Sequence, residues 1–233
     1  YNHLKEWNCV ENVDSKGALF FHSFKKELFT NIYGDELSLL GDGYLESYVS
    51  LKYLTNRKLR EIVVTKTSSW FDDINTENKV EGFNDVVLKS LGGAYEKIVK
   101  DYGDNDSNWK WGDAHSLTHK HTLSKVKIID YLFSLSVGPY RSGGSSLTPN
   151  AGGYSINKSF KQTSGASMRR IVDFANMNNT QMILPTGQSG NVKSPHYKDQ
   201  ARLYHNGKYR TTWFDEEYVK NEKKFRHLML KPI

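Results

Sequence analysis

Residues Pro185-Thr186-Gly187-Gln188-Ser189-Gly190, followed after three residues by Ser194-Pro195-His196-Tyr197-Lys198-Asp199-Gln200, decide how this 233-residue chain is read. The preceding run Thr180-Gln181-Met182-Ile183-Leu184 has the composition of a strand. Two glycines within four residues then permit backbone conformations that a side chain would forbid, so the loop can bring amides close to a partner group. Pro195 holds Ser194 extended and stops a helix from starting earlier, so a turn feeds a new element at His196 to Gln200.

The spelling PTGQSG, then SPHYKDQ, resembles the C-terminal part of the β chain of the penicillin acylase family, which are N-terminal-nucleophile amidases. Further segments agree, in order. Trp109-Lys110-Trp111-Gly112-Asp113-Ala114-His115-Ser116-Leu117-Thr118 is similar to the family's W-G-x-x-H-x-L-T segment. Ser164-Gly165-Ala166-Ser167-Met168-Arg169-Arg170-Ile171-Val172-Asp173-Phe174 is similar to its S-G-x-S-x-R-x-I-V-D-F strand. Leu4-Lys5-Glu6-Trp7-Asn8 resembles the L-x-x-W-[DN]-G element, with Cys9 where glycine is usual. The resemblance spans nearly the whole chain and rests on several separate motifs.

What the resemblance implies is an α+β fold: a portion of an αββα N-terminal-nucleophile hydrolase sandwich. In such amidases the nucleophile is the first residue of the processed β chain, a Ser, Cys or Thr. Here the first residue is Tyr1, whose phenol, with a pKa of about 10, is a poor nucleophile. The expectation is therefore a C-terminal fragment that carries no catalytic residue and is inactive alone. The nucleophile, the oxyanion-hole asparagine and most calcium ligands of the intact enzyme would lie upstream, so no cofactor is assigned to this chain. Expected partners are the remaining N-terminal part of the β chain, the α chain and a small-molecule amide, with neither nucleic acid nor membrane. Linear amides such as acylated β-lactams or acyl homoserine lactones are the implied substrates, and the periplasm or cell exterior the implied location.

Bulk composition fits a piece of a larger folded protein. The net charge of +6 arises from 32 basic and 26 acidic residues that are largely interleaved, a solvated surface and not a nucleic-acid patch. No apolar run reaches membrane-spanning length. A single cysteine, Cys9, rules out an intrachain disulfide and is expected to be a small buried residue beside Trp7.

Periodicity divides the chain into a mainly helical segment, 1–103, and a strand-rich segment, 104–233, with a short C-terminal helix, the two together forming part of one larger domain. Leu19, Phe20, Phe24, Leu28 and Phe29 form a helical stripe over Ser15–Asn31, with Gly34 beyond it. Val87, Leu91, Ala94, Tyr95, Ile98 and Tyr102 predict a helix between Phe83 and Tyr102, with Asn84 as N-cap and Gly103 as stop. Two short helices are expected within Leu45–Ile74. Strands are expected near His115–His121, Gly153–Ile156, Met168–Phe174, Gln181–Leu184 and Leu203–Tyr209. A helix should start at Asp215-Glu216-Glu217 and end near Lys220, Lys223 and Lys224, and His227-Leu228-Met229-Leu230 could return as a strand. The Gly/Ser-rich run Arg141–Gly153 lacks phosphate-loop spacing and reads as a surface or substrate-side loop.

Four residues are candidates for a supporting role: Asp173, Gln188, Ser189 and His196. Asp173, among apolar neighbours, would orient a histidine near the nucleophile or, more simply, pair with Arg169 or Arg170. Gln188 and Ser189 would bond backbone groups left unpaired by the glycine turns, while His196 and Asp199 fix the following turn. His115, His119 and His121 share a strand parity that suggests a metal site, but a hydrogen-bonding role suits His115 better, and no metal ligand is assigned. The competing classes are a noncatalytic binding or scaffold remnant of the same fold and a histidine-cluster metallohydrolase.

Overall fold

The computed structural model describes residues 2–156, 158–221 and 229–231. By internal contacts the chain forms two compact units: unit 1 comprises residues 1–117 and 140–165, and unit 2 comprises 118–139 and 166–233.

Unit 1 is mainly helical. After the short α1 (Asn2–Lys5) come α2 (Lys16–Leu39), α3 (Tyr44–Ser50), α4 (Lys52–Thr65) and α5 (Phe83–Tyr102). Helix α2 starts where Ser15, as N-cap, accepts the Ala18 amide on its Oγ at 3.0 Å. It does not stop at Gly34 but runs on to Leu39, because Ile32 and Tyr33 are buried and their packing outweighs the roughly 1 kcal/mol that a helical glycine costs. Helix α5 has the expected span and ends at Gly103, which takes φ +81°. Its N-cap is Gly82 and not Asn84, since the Asp85 carboxylate reaches back to accept the Gly82 amide at 3.0 Å.

Two apolar clusters hold this unit. Ala18, Leu19 and Phe20 of α2 meet Ala94 and Ile98 of α5 with Trp109, Trp111 and Tyr154, while Leu28, Phe29, Ile32 and Tyr33 meet Val49, Phe71 and Val86. Each large apolar side chain buried here contributes about 1.5–3 kcal/mol. Between the clusters, α2 and α5 touch through polar groups: Asn31 Nδ2 donates to Ser90 Oγ at 3.0 Å, and Lys97 pairs with Glu27 at 2.5 Å.

The rest of unit 1 comprises the short α6 (Trp111–Ala114) and the antiparallel hairpin of β3 (Gly152–Ser155) with β4 (Ser159–Gly165). The chain crosses between units inside β1 (Ser116–His119) and inside β2 (Val137–Arg141), which together form a two-stranded sheet. Unit 2 holds α7 (Lys127–Phe133), β5 (Arg169–Ile171), β6 (Thr180–Ile183), α8 (Ala201–His205), β7 (Arg210–Thr212) and α9 (Glu216–Asn221). Strand β6 is central in an antiparallel β5-β6-β7 sheet, with Arg169 opposite Ile183 and Thr180 opposite Thr212.

The helical front, strand-bearing back and mixed α and β class are as expected, and α3 and α4 are the two short helices foreseen within Leu45–Ile74. Leu203–Tyr209 is not a strand: Ala201–His205 is helical, because the Tyr204 amide bonds Gln200 O and its buried ring anchors the turn. The strand follows it, as β7. Cys9 is exposed and not buried; it stands in a turn at φ +62°, the left-handed region that glycine prefers. The expected Lys223 and Lys224 end of α9, and His227 and Leu228, lie outside the described residues, while Met229 and Leu230 take no strand.

Candidate functional site

In unit 2 the 185–200 loop closes on itself. The Ser189 amide donates to His196 O at 3.1 Å and the Gln200 amide to Thr186 O at 2.8 Å, so the two halves of the motif bind each other. Gly187 is required by this closeness: a Cβ there would stand 2.0 Å from His196 O. At Gly190 a Cβ would meet nothing within 4 Å. The Ser189 and Gln200 amides are thus spent within the loop itself.

The side chains serve the same closure. Ser189 Oγ accepts the Asn191 amide at 3.1 Å, and Ser194 Oγ accepts that of His196 at 3.1 Å. Asp199 Oδ2 joins His196 Nδ1 (3.1 Å) to Arg210 of β7 (3.0 Å), tying loop to sheet. Burial alone would raise the Asp199 pKa, but the His196 hydrogen bond and the Arg210 guanidinium hold it below the ordinary value. Tyr197 donates its hydroxyl to Leu135 O at 2.5 Å.

Gln188, expected to satisfy backbone groups, is instead exposed, and among the described residues its amide has no partner. Gln200 takes that role: it is buried, and its Oε1 accepts the Leu184 amide at 3.1 Å. Ser189 and His196 share a loop without forming a nucleophile and base, since His196 meets Ser189 through its backbone carbonyl and its ring faces Asp199. Asp173 lies past the end of β5, where its Oδ1 accepts the Ala175 amide at 3.0 Å and shapes a turn. The Arg169 guanidinium carbon lies 3.9 Å from the Tyr204 ring centroid, and the side chain donates to Tyr204 O at 3.0 Å.

In unit 1 the W-G-x-x-H segment builds a buried stack that sequence reading missed. The Trp111 ring is sandwiched between His22 (4.2 Å, 17°) and His115 (4.6 Å, 9°). Its Nε1 donates to Gly144 O at 2.9 Å, and His115 Nδ1 donates to Phe160 O at 2.6 Å, the hydrogen-bonding role expected of His115. His22 Nε2 lies 3.2 Å from Glu11 Oε1, and its Nδ1 lies 2.7 Å from the Tyr154 hydroxyl. The network assigns the tautomer: Nε2–H faces the carboxylate and Nδ1 accepts from Tyr154.

Burial pushes the His22 pKa down despite the nearby carboxylate, and burial also lowers that of His115. Glu11, which burial would raise, is brought below its usual value by His22 and Ser145. The one sequence signal was His22 itself, an imidazole one helical turn after Ala18 on the buried face of α2. The front of the Gly/Ser run belongs to this interior, contrary to the surface-loop expectation: Ser142 to Ser145 are buried, with the Gly144 amide on Glu11 O at 2.6 Å.

The three odd-numbered histidines do not share one set of partners. His115 bonds Phe160, His119 Nε2 lies 3.2 Å from His205 Nε2, and His121 accepts the Leu123 amide. Among the described residues no group of three or more His, Cys, Asp or Glu side chains could hold a metal ion.

The chain matches the penicillin amidase family over residues 1–221. It belongs to that family. Its relatives include acyl-homoserine lactone acylase QuiP of Pseudomonas aeruginosa, 26% identical over 222 residues that cover 90% of this chain and 26% of the relative. QuiP of Pseudomonas putida is 26% identical over 211 residues, covering 88% and 25%. The chain thus spans about a quarter of the length of the curated relatives it matches. A solved structure of thermostable penicillin G acylase from Alcaligenes faecalis aligns with a TM-score of 0.46 and 14% identity, covering 98% of this chain and 40% of that one. In this chain, the self-closed 185–200 loop and the Trp111 stack are places where the quoted motifs fold into defined polar networks.

Proposed function

We propose that this chain is the C-terminal part of an amide hydrolase that cleaves linear amides, acyl homoserine lactones or acylated β-lactams, through an acyl-enzyme. The attacking group lies outside these residues. The observation that carries this reading is family membership over residues 1–221 combined with the self-closed loop, in which Ser189 and His196 are spent on hydrogen bonds that hold the loop together. Asp173, Gln188, Ser189 and His196 then support a wall of the site and touch no reacting atom.

In the complete enzyme the nucleophile is the N-terminal residue of the processed β chain, with its own α-amino group as base through water. Oxyanion stabilisation and any calcium belong to the same upstream part. The partners are that upstream polypeptide and the α chain. Support comes from apolar side chains left bare: Tyr53 and Val64 on α4, and Ile128, Tyr131 and Leu132 on α7, a helix with no buried residue. No helix among the described residues is long and apolar enough to cross a membrane. A periplasmic or extracellular site of action goes with the family reading.

Sequencing the DNA upstream of the Tyr1 codon tests this. The expected result is an open frame holding a Ser, Cys or Thr after a cleavable spacer, whose substitution by Ala abolishes amide hydrolysis by the whole product. A start codon immediately before Tyr1 would refute it and leave the noncatalytic remnant.

A further inference from the structure

Unit 1 contains a cavity of about 250 Å³ between α2, the α3–α4 corner and the β3–β4 hairpin. Its chemistry is divided. Lys25 and Lys52 supply two ammonium groups, and Phe29, Val49 and Ile156 supply an apolar wall. Among the described residues neither lysine has a carboxylate within ion-pair distance or a side-chain hydrogen bond. Lys25 is half-buried, with its Nζ 5.8 Å from the Phe29 ring centroid. Lys52 opens α4, whose first turn has no side-chain cap and also lines the cavity through Thr55 and Asn56.

We infer that this cavity binds a small organic carboxylate, with its carboxylate between Lys25 and Lys52 and a short apolar body against Phe29, Val49 and Ile156. A half-buried ammonium at Lys25, with a second at the exposed Lys52 on the same cavity and no counter-ion among the described residues, is a cost that an anion lowers. The positive end of the α4 dipole acts in the same direction. Burial lowers the Lys25 pKa, Glu11 opposes that, and the Lys52 charge adds to it. The one carboxylate on the lining, Glu46, is turned to Lys158 at 3.4 Å. Ser146 and Ser155 add hydroxyls able to donate to the anion, whereas Ser50 and Thr163 already donate theirs to Ser47 O and Gly153 O. The apolar wall is what separates this from a site for a bare inorganic anion, which would leave it unused.

The inference rests on the cavity alone and is independent of the amidase reading. Its test is titration calorimetry on the 233-residue chain with acetate, butyrate and hexanoate, with inorganic phosphate and hexylammonium as controls. Affinity should rise roughly three- to fourfold per added methylene, as expected for burying each one. It should fall at least tenfold in Lys25→Met and in Lys52→Met, both of which retain side-chain volume, with hexylammonium not binding. Circular dichroism of each variant establishes that it is folded. Should hexanoate bind no better than acetate, phosphate bind best, or the folded double variant bind hexanoate undiminished, the inference is wrong.

Discussion

The Trp111 stack and the 185–200 loop are both built from family motifs, yet they use polar residues in opposite ways. In the stack, Trp111 and His115 are fully buried and their ring nitrogens reach carbonyls 33 and 45 residues distant, at Gly144 and Phe160. In the loop, most partners lie within about ten residues, and the side chains of Gln188 and His196 remain exposed. The stack therefore holds distant parts of unit 1 together, whereas the loop holds its own shape. A motif can mark a family through either function, and neither one requires catalysis.

The contrast is broken most severely at Trp111. Trp111→Ala removes a fully buried ring stacked on both faces and should cost about 3–5 kcal/mol, read as a lower denaturation midpoint followed by circular dichroism. The loop's most sensitive position is Gly187. Gly187→Ala forces a methyl against His196 O and should cost about 1–3 kcal/mol, while Gly190→Ala, which meets open space, should stay within about 0.5 kcal/mol. Equal losses at the two glycines would show that the loop is not closed as described.

Gln200 and Gln188 form the next pair. Gln200→Ala strands the Leu184 amide and should cost about 1–2 kcal/mol, whereas Gln188→Ala should leave the same melting curve unchanged. The stack is further distinguished by pH. His22 and His115 titrate below the ordinary histidine value because burial disfavours the cation, so the unfolded chain takes up protons first. Stability should be level above about pH 6.5 and decline as pH falls through the depressed folded values. In His22→Gln this acid-side slope should flatten. An unchanged slope would place the acid sensitivity elsewhere.

Much of this was legible before any coordinates. Helix α5 was readable at its C-terminal end because its apolar spacing and Gly103 agree, although its cap proved to be Gly82 and not Asn84, and the PTGQSG and WGDAH spellings led directly to the family. Long-range partners were not legible. Gly34 looked like a stop because the burial of Ile32 and Tyr33 cannot be read from spacing. Tyr204 looked like part of a strand because its hydroxyl bond to Ala166 O, across 38 residues, leaves no local trace. Gln188 stood out by its place in the glycine loop and Gln200 did not, because only the fold decides which side-chain amide faces inward. Cys9 shows the reverse case, since its standing where glycine is usual already contained the positive φ.

The central claim, that these residues frame an amide hydrolase without performing its chemistry, is tested most directly by incubating the purified 233-residue chain with an N-acyl-homoserine lactone and measuring released homoserine lactone by mass spectrometry. The account predicts release no faster than in buffer, and the same outcome for Ser189→Ala and His196→Ala. Turnover by the unaltered chain that disappears in either variant would contradict it.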